Sequence, residues 1–405
     1  MIIRARAVVT MAGASIANGA VALEGNRIVD VGSWPEVRAR NAGEAIDLGE
    51  RALLPGLINA HCHLDYTLLR GAIPSQSSFT GWIQAINARK TELAPADYLR
   101  SIEAGLAEAA GFGTTTIANL EAFPELVGEV VNEPRLRTWW FAEMIDLRGP
   151  VVAADVLDRL EKNVRLPNGL GLAPHAPFTA SRNLYAETAA LAAERSIPVT
   201  THLAESAEEM AMFRDGSGAL FDLVQQIGRP MEDCGGVTPL GLMLQNKLLD
   251  ERWLIAHLNE LTPADFELLA DGPRFHVVHC PRSHAWFGHT PFALKKLRAL
   301  GFNICLGTDS LASNHDLSLF SEMRHLWKTE PSLRAEEILA MVTVNAAAAL
   351  GQPNTLGRLR AGCVADLIAV PFTGARAEVA EEVISFSGRA SWLMVDGELS
   401  QCRRE

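Results

Sequence analysis

The 405-residue sequence is marked first by what it lacks. Its six cysteines (Cys62, Cys234, Cys280, Cys305, Cys363 and Cys402) are scattered, with no C-x-x-C pair. In a chain of this size that excludes a disulfide framework and reads as a reduced, cytosolic protein. No block of lysine and arginine is longer than a pair with its neighbours, and the formal net charge is −12. Nucleic acid, whose binding needs a basic patch, is therefore not an expected partner. No uninterrupted apolar run is long enough to span a membrane. The opening MIIRARAVVTMAGA puts arginines where a secretory apolar core would run, so no signal peptide, no membrane partner and a cytoplasmic location are expected. Internal repeats and low-complexity segments are also missing. With 48% hydrophobic and 21% charged residues the chain is not disordered, and its length allows one large domain plus a small one.

What is present is histidine in a particular arrangement. Residues 55–65 read PGLINAHCHLD, which places His61 and His63 one residue apart at the end of an apolar segment. On a strand such a pair points the same way, and two imidazoles on one side of a strand end are half of a typical zinc site. Downstream follow His175 (GLAPHAPFTAS), His202 with Glu205 (VTTHLAES), His257 (LIAHL), His279 (VVHCPRSH) and Asp309 (LGTDSLASN). Each stands where a short β-rich run gives way to turn residues.

The two chain ends alternate short β-type runs with glycine turns. They predict a small β-sandwich domain assembled from residues 1–54 and 355–405. Between them, residues 55–354 carry eight strand candidates: 54–61, 114–120, 137–144, 169–175, 197–203, 252–257, 274–280 and 302–309. Helical spacing fills the gaps. Leu220, Leu223, Val224 and Ile227 fall at i, i+3, i+4 and i+7. Thr262-Pro263-Ala264-Asp265 is a helix start, and Leu294, Leu297 and Leu300 run to a stop at Gly301. Eight such units predict an α/β fold, a TIM-type (β/α)8 barrel, with the polar residues above at the carboxyl ends of its strands. Three long loops, 64–97, 144–168 and 204–251, are expected to carry specificity.

Taken together, PGLINAHCH, THLAE and LGTDSLASN resemble, in that order, the motifs of the amidohydrolase superfamily. The similarity is narrower to its aminohydrolase branch, which holds the S-adenosylhomocysteine, methylthioadenosine, guanine and cytosine deaminases and the triazine hydrolases. It covers essentially the whole chain. The resemblance implies that His61, His63, His202 and Asp309 ligate one divalent metal ion, with a position left for water. Zinc is the expected ion, and ferrous iron is compatible with the same ligands. Two-metal relatives commonly use a bridging lysine on strand four; GLGLAPH has none, so a mononuclear site is expected.

The resemblance also implies a mechanism. Asp309 takes a proton from the metal-activated water. Glu205 protonates the ring nitrogen and then the departing amine, and His257 holds the nucleophile and the tetrahedral intermediate. PHAPFT places His175 beside a purine and sugar, and the TLLRG…WIQAI arrangement offers Phe79 and Trp82 as purine walls, with core packing as the alternative. Glu143 and Arg148 are candidates for sugar hydroxyls or a substrate carboxylate, and His279 for a substrate contact. His284 and His289 fall in a loop where the branch commonly reads P-x-S-N; they are structural by default, and mark a loop that serves a different substrate. The implied activity is deamination of an adenine nucleoside: aminodeoxyfutalosine (on a menaquinone route), S-adenosylhomocysteine or methylthioadenosine. The alternatives are hydrolysis of another leaving group, such as a triazine chloride or a cyclic amide, and, remotely, a non-catalytic scaffold. A homo-oligomer is compatible with all of these.

Overall fold

The computed structural model describes residues 1–133, 135–165 and 168–400, so Cys402 lies outside the described residues. Its centre is a sheet of eight parallel strands: β1 (Leu57–His63), β2 (Thr114–Glu121), β3 (Arg137–Met144), β4 (Gly169–Pro174), β5 (Val199–Leu203), β6 (Trp253–His257), β7 (His276–His279) and β8 (Asn303–Leu306). They neighbour one another in chain order. The sheet curls back on itself: just past β8, Asp309 and Ser310 pair in parallel with Cys62 and His63 of β1.

Both faces of this sheet are buried, the usual consequence of helical crossovers. Trp139, Phe141, Leu254, Val278 and Cys305 belong to one cluster, while their neighbours Trp140, Ala142, Ile255, Val277 and Ile304 belong to the larger one shared with the helices. The period of two along each strand sorts the side chains between them. The helix start at Thr262 holds: its hydroxyl accepts from Asp265 N–H while Asp265 accepts from the Thr262 amide. Gly301 takes φ +83°, the left-handed stop expected there.

The first strand begins later than expected. Segment 54–61 straddles two strands, because Arg51–Pro55 pairs into the other sheet and only Leu57–His63 joins the parallel one. Gly56 is the switch between them, and a Cβ there would stand 2.1 Å from the Thr115 side chain. The three long loops carry helices, one of them where the spacing of Leu220, Leu223, Val224 and Ile227 predicts it. Phe79–Lys90, Ala153–Asn163, Ala207–Asp215, Ala219–Ile227 and Pro239–Gln245 lie within them. Ser78, Ser206 and Thr238 cap three of these, a local signal that a length argument passes over.

The chain ends meet in one hydrogen-bonded sheet. Ile2–Val8 pairs with Ile16–Glu24 and with Arg51–Pro55, which pairs in turn with Leu367–Pro371. Ile3, Val21, Leu53, Leu367 and Met394 form a core of their own there. Arg137, at the start of β3, joins this sheet to the parallel one through buried ion pairs with Asp366 and Asp396, each at 3.1 Å. Among the described residues, no helix is long and apolar enough to cross a membrane.

Candidate active site

The residues singled out in the sequence converge at the carboxyl ends of the strands. His61 and His63 project from β1, with ring centroids 5.1 Å apart. His202 of β5 stands 5.0 Å from His61 and 5.2 Å from His63, and its Nε2 faces His63 Nε2 at 3.1 Å. Asp309 closes the group with Oδ1 3.8 Å from His61 Nε2. His61, His63 and Asp309 hold ligand-type atoms within 4.8 Å of one another, as do His61, His202 and His257.

Backbone geometry places several of these groups. Gly307 lies against β1 so closely that a Cβ would be 2.7 Å from His61 Cβ. Thr308 N–H donates to the His61 carbonyl (3.1 Å), and Asn59 Oδ1 accepts from Thr308 N–H (3.1 Å). Asp309 and His257 then adopt φ of +56° and +74°. Left-handed backbone at residues other than glycine costs on the order of 1–3 kcal/mol each and gathers at functional sites. Asp309 is oriented further by Ser283, whose hydroxyl donates to Oδ2 at 2.6 Å, and by the Ser310 amide on Oδ1 at 2.7 Å.

These groups suit a divalent cation. Both ring nitrogens of His61 are buried without a hydrogen-bond partner, a cost that a bound ion would remove. Burial, reinforced by His61 and His202, holds His63 well below the usual imidazole range. Burial, with His175 and His61, pushes His202 down to about 3. Both are therefore neutral ligands at neutral pH. Burial pushes Asp309 up, but the surrounding imidazoles of His61, His257 and His63 outweigh this and keep it well below the carboxylate range.

Glu205 is the counterpart. It is buried, with Oε1 3.6 Å from His257 Nε2, and burial, then Asp309 and Glu209, pushes its carboxyl well above the usual range. Its amide donates to Glu209 Oε2 at 2.7 Å, which fixes the turn entering the following helix. Glu205, His257 and Asp309 form one compact group, and Glu143, His175 and His202 another on the opposite side. His175 Nδ1 is paired with Thr179 Oγ1 at 2.6 Å.

The remaining candidates divide. Phe79 and Trp82 stack at 6.1 Å, and Phe79 meets Phe178, which in turn meets His175 at 5.7 Å, so they back the His175 side through one intervening ring. His279 is buried and stacked on Phe292 at 4.0 Å, outside the ligand groups. Arg148 is exposed beyond β3 and the structure does not bring it to the cluster. His284, by default structural, pairs with Asn259 Oδ1 at 3.0 Å, and Asn259 Nδ2 donates to the Glu205 carbonyl. Ser283, Ser313, Asn259 and Glu209 were not singled out in the sequence. Ser313, whose hydroxyl donates to Asp309 Oδ2 at 3.3 Å, lies inside LGTDSLASN, the motif that carried the Asp309 assignment.

Residues 52–398 match the amidohydrolase family, and residues 19–43 match the imidazolonepropionase-like composite domain of bacteria. The chain belongs to the amidohydrolase family. It is 33% identical over 375 residues to the 5-methylthioadenosine/S-adenosylhomocysteine deaminase of Pyrococcus furiosus, covering 87% of this chain and 82% of that one. A zinc-bound adenosine deaminase from Xanthomonas campestris superposes with a TM-score of 0.82 at 26% identity, over 98% of this chain and 92% of that one. The aminofutalosine deaminase of Helicobacter pylori, at 19% identity, shares the fold with a TM-score of 0.86 over 98% of this amidohydrolase and 99% of its own chain.

Proposed function

We propose that this amidohydrolase is a metal-dependent deaminase of adenine nucleosides, releasing ammonia. One observation carries the reading: two buried carboxyls, Glu205 and Asp309, stand with His257 in one compact group, and their surroundings shift them in opposite directions, Glu205 up and Asp309 down. Two carboxyl groups with pKa values pushed apart are what an acid and a base at one carbon require. The names of the relatives support the same class.

His61, His63, His202 and Asp309 would hold the ion, with zinc the expected one. When bound, such an ion acidifies water and polarises the reacting bond. Asp309, ionised and aimed by Ser283, takes the proton of the attacking water. Glu205 gives its proton to the ring nitrogen beside the reacting carbon, then takes the hydroxyl proton of the tetrahedral carbon and passes it to the leaving amine; the proton held by Asp309 restores Glu205. His257 steadies the attacking oxygen and the tetrahedral carbon. His175, anchored by Thr179, reads the far edge of the purine. Glu143, close to His175, accepts from sugar hydroxyls, and its negative charge disfavours a carboxylate at that end. Within the set of aminodeoxyfutalosine, S-adenosylhomocysteine and methylthioadenosine, this favours a 5′ substituent without a carboxylate. The curled sheet is read as the (β/α)8 barrel over residues 55–354, and the end-derived sheet over 1–54 and 355–405 as a small sandwich.

The test is ammonia release by zinc-loaded protein from these three nucleosides, adenosine, guanine and cytosine in parallel. Turnover confined to adenine nucleosides is expected. Silence across the panel with metal bound would overturn the reading and point to triazines or cyclic amides.

A further inference from the structure

The segment that departs from the branch's usual P-x-S-N holds a polar group that the mechanism above leaves unused. Helix Pro281–Phe287 ends at Gly288, whose φ of +68° turns the chain back, and His289 follows. Its Nε2 is buried without a hydrogen-bond partner. The ring lies close enough to His257 and Asp309 for their charges to act on one another, yet it belongs to none of the ligand groups. Its setting is rigid. Phe287 stands 5.3 Å away and meets Phe79 and Trp82 edge to face, and His284 stands 5.5 Å away. Through His284 and Asn259 the segment is tied to the carbonyl of Glu205. A buried imidazole nitrogen left unpaired costs stability unless a ligand completes it.

We propose that His289 is a substrate-contacting residue, its Nε2–H donating to the five-membered-ring nitrogen, N7, on the amino edge of adenine. The inference rests on the adenine-nucleoside reading and deepens it. With the reacting carbon at the ligand cluster, Glu205 takes N1 and His175 the far edge, which leaves N7 as the ring acceptor still needing a donor. His289 Nε2, within electrostatic reach of Asp309 and His257, is a buried nitrogen outside the ligand groups that still lacks a partner. A donor there separates a purine from a single-ring substrate, which has no such nitrogen.

The experiment is a double cycle on the metal-loaded enzyme. Ammonia release is measured for wild type, H289A and H289Q on 5′-methylthioadenosine and on its 7-deaza counterpart, with metal content and melting temperature recorded. H289A is expected to lose about tenfold in kcat/KM on the parent nucleoside, and wild type about tenfold on the 7-deaza analogue. The two changes together should cost no more than either alone, because they remove one contact. H289Q, which keeps an N–H donor, should recover part of the loss. Losses that multiply, or no loss in H289A, would overturn the assignment while leaving the deaminase reading intact. A metal-loaded wild type inactive on methylthioadenosine and adenosine alike would overturn both.

Discussion

Glu205 and Asp309 are both buried carboxyls within one compact group, yet their environments shift their pKa values in opposite directions. The cause is local: Asp309 is surrounded by imidazoles and accepts two close hydrogen bonds, while Glu205 faces Asp309 and Glu209. A reaction that needs Glu205 protonated should lose kcat/KM as pH rises through its raised pKa, and E205Q should abolish that limb. The same variant should lose roughly 10²–10⁴-fold in kcat while binding metal normally, which steady-state rates and metal analysis together would show. H61A should instead lose the metal, since His61 belongs to two of the candidate ligand groups and both its ring nitrogens are buried without a hydrogen-bond partner.

Elements act on the site through their contacts. The approach of the β8 end to β1 leaves no space for a side chain at Gly307, so G307A must move Asp309 or His61. A cost of about 1–3 kcal/mol and weakened metal binding are expected, read by thermal melts and a metal titration. Glu322, on helix Leu319–Thr329, accepts from the Arg282 amide at 2.9 Å and from Asn314 Nδ2 at 2.8 Å, holding together the two segments that orient Asp309. Its carboxyl is pushed by burial from 4.5 up to about 8. The folded state then binds an extra proton between those values, so this group's contribution to stability falls as pH rises across that window. E322A should flatten that slope and cost about 1–3 kcal/mol at pH 6 by leaving the two donors unpaired.

At the scale of the whole molecule, the two sheets are joined through Arg137 and its pairs with Asp366 and Asp396. Removing one partner of a buried pair strands charge, so D366A should destabilise by about 3 kcal/mol without touching the distant ligands. Thermal melting with unchanged metal content would separate this from a site effect. Metal should also be linked to global stability, because the proposed ligands come from β1, β5 and the end of β8, across the curled sheet. A chelator should lower the melting temperature and added zinc should restore it, as mass action requires of a ligand that binds only the folded chain.

Much of this was legible in the amino-acid sequence. The motifs around His61, His63, His202 and Asp309 resemble those of the family, and that resemblance implied the ligand set; the alternation of apolar runs with helical spacing gave the parallel α/β pattern. The helix start at Thr262 and the stop at Gly301 were readable because local chemistry decides them. Tertiary structure decided the rest. It split the first strand at Gly56, added the helices Phe79–Lys90 and Pro239–Gln245 to the long insertions, and left Arg148 exposed. It also set Ser283, Asn259 and Glu209 behind the reacting groups and left His289 with a buried, unpaired nitrogen. Those features depend on which distant segments come within hydrogen-bonding reach and which polar atoms are cut off from water. Both are properties of packing across the fold, and no spacing along the chain encodes them.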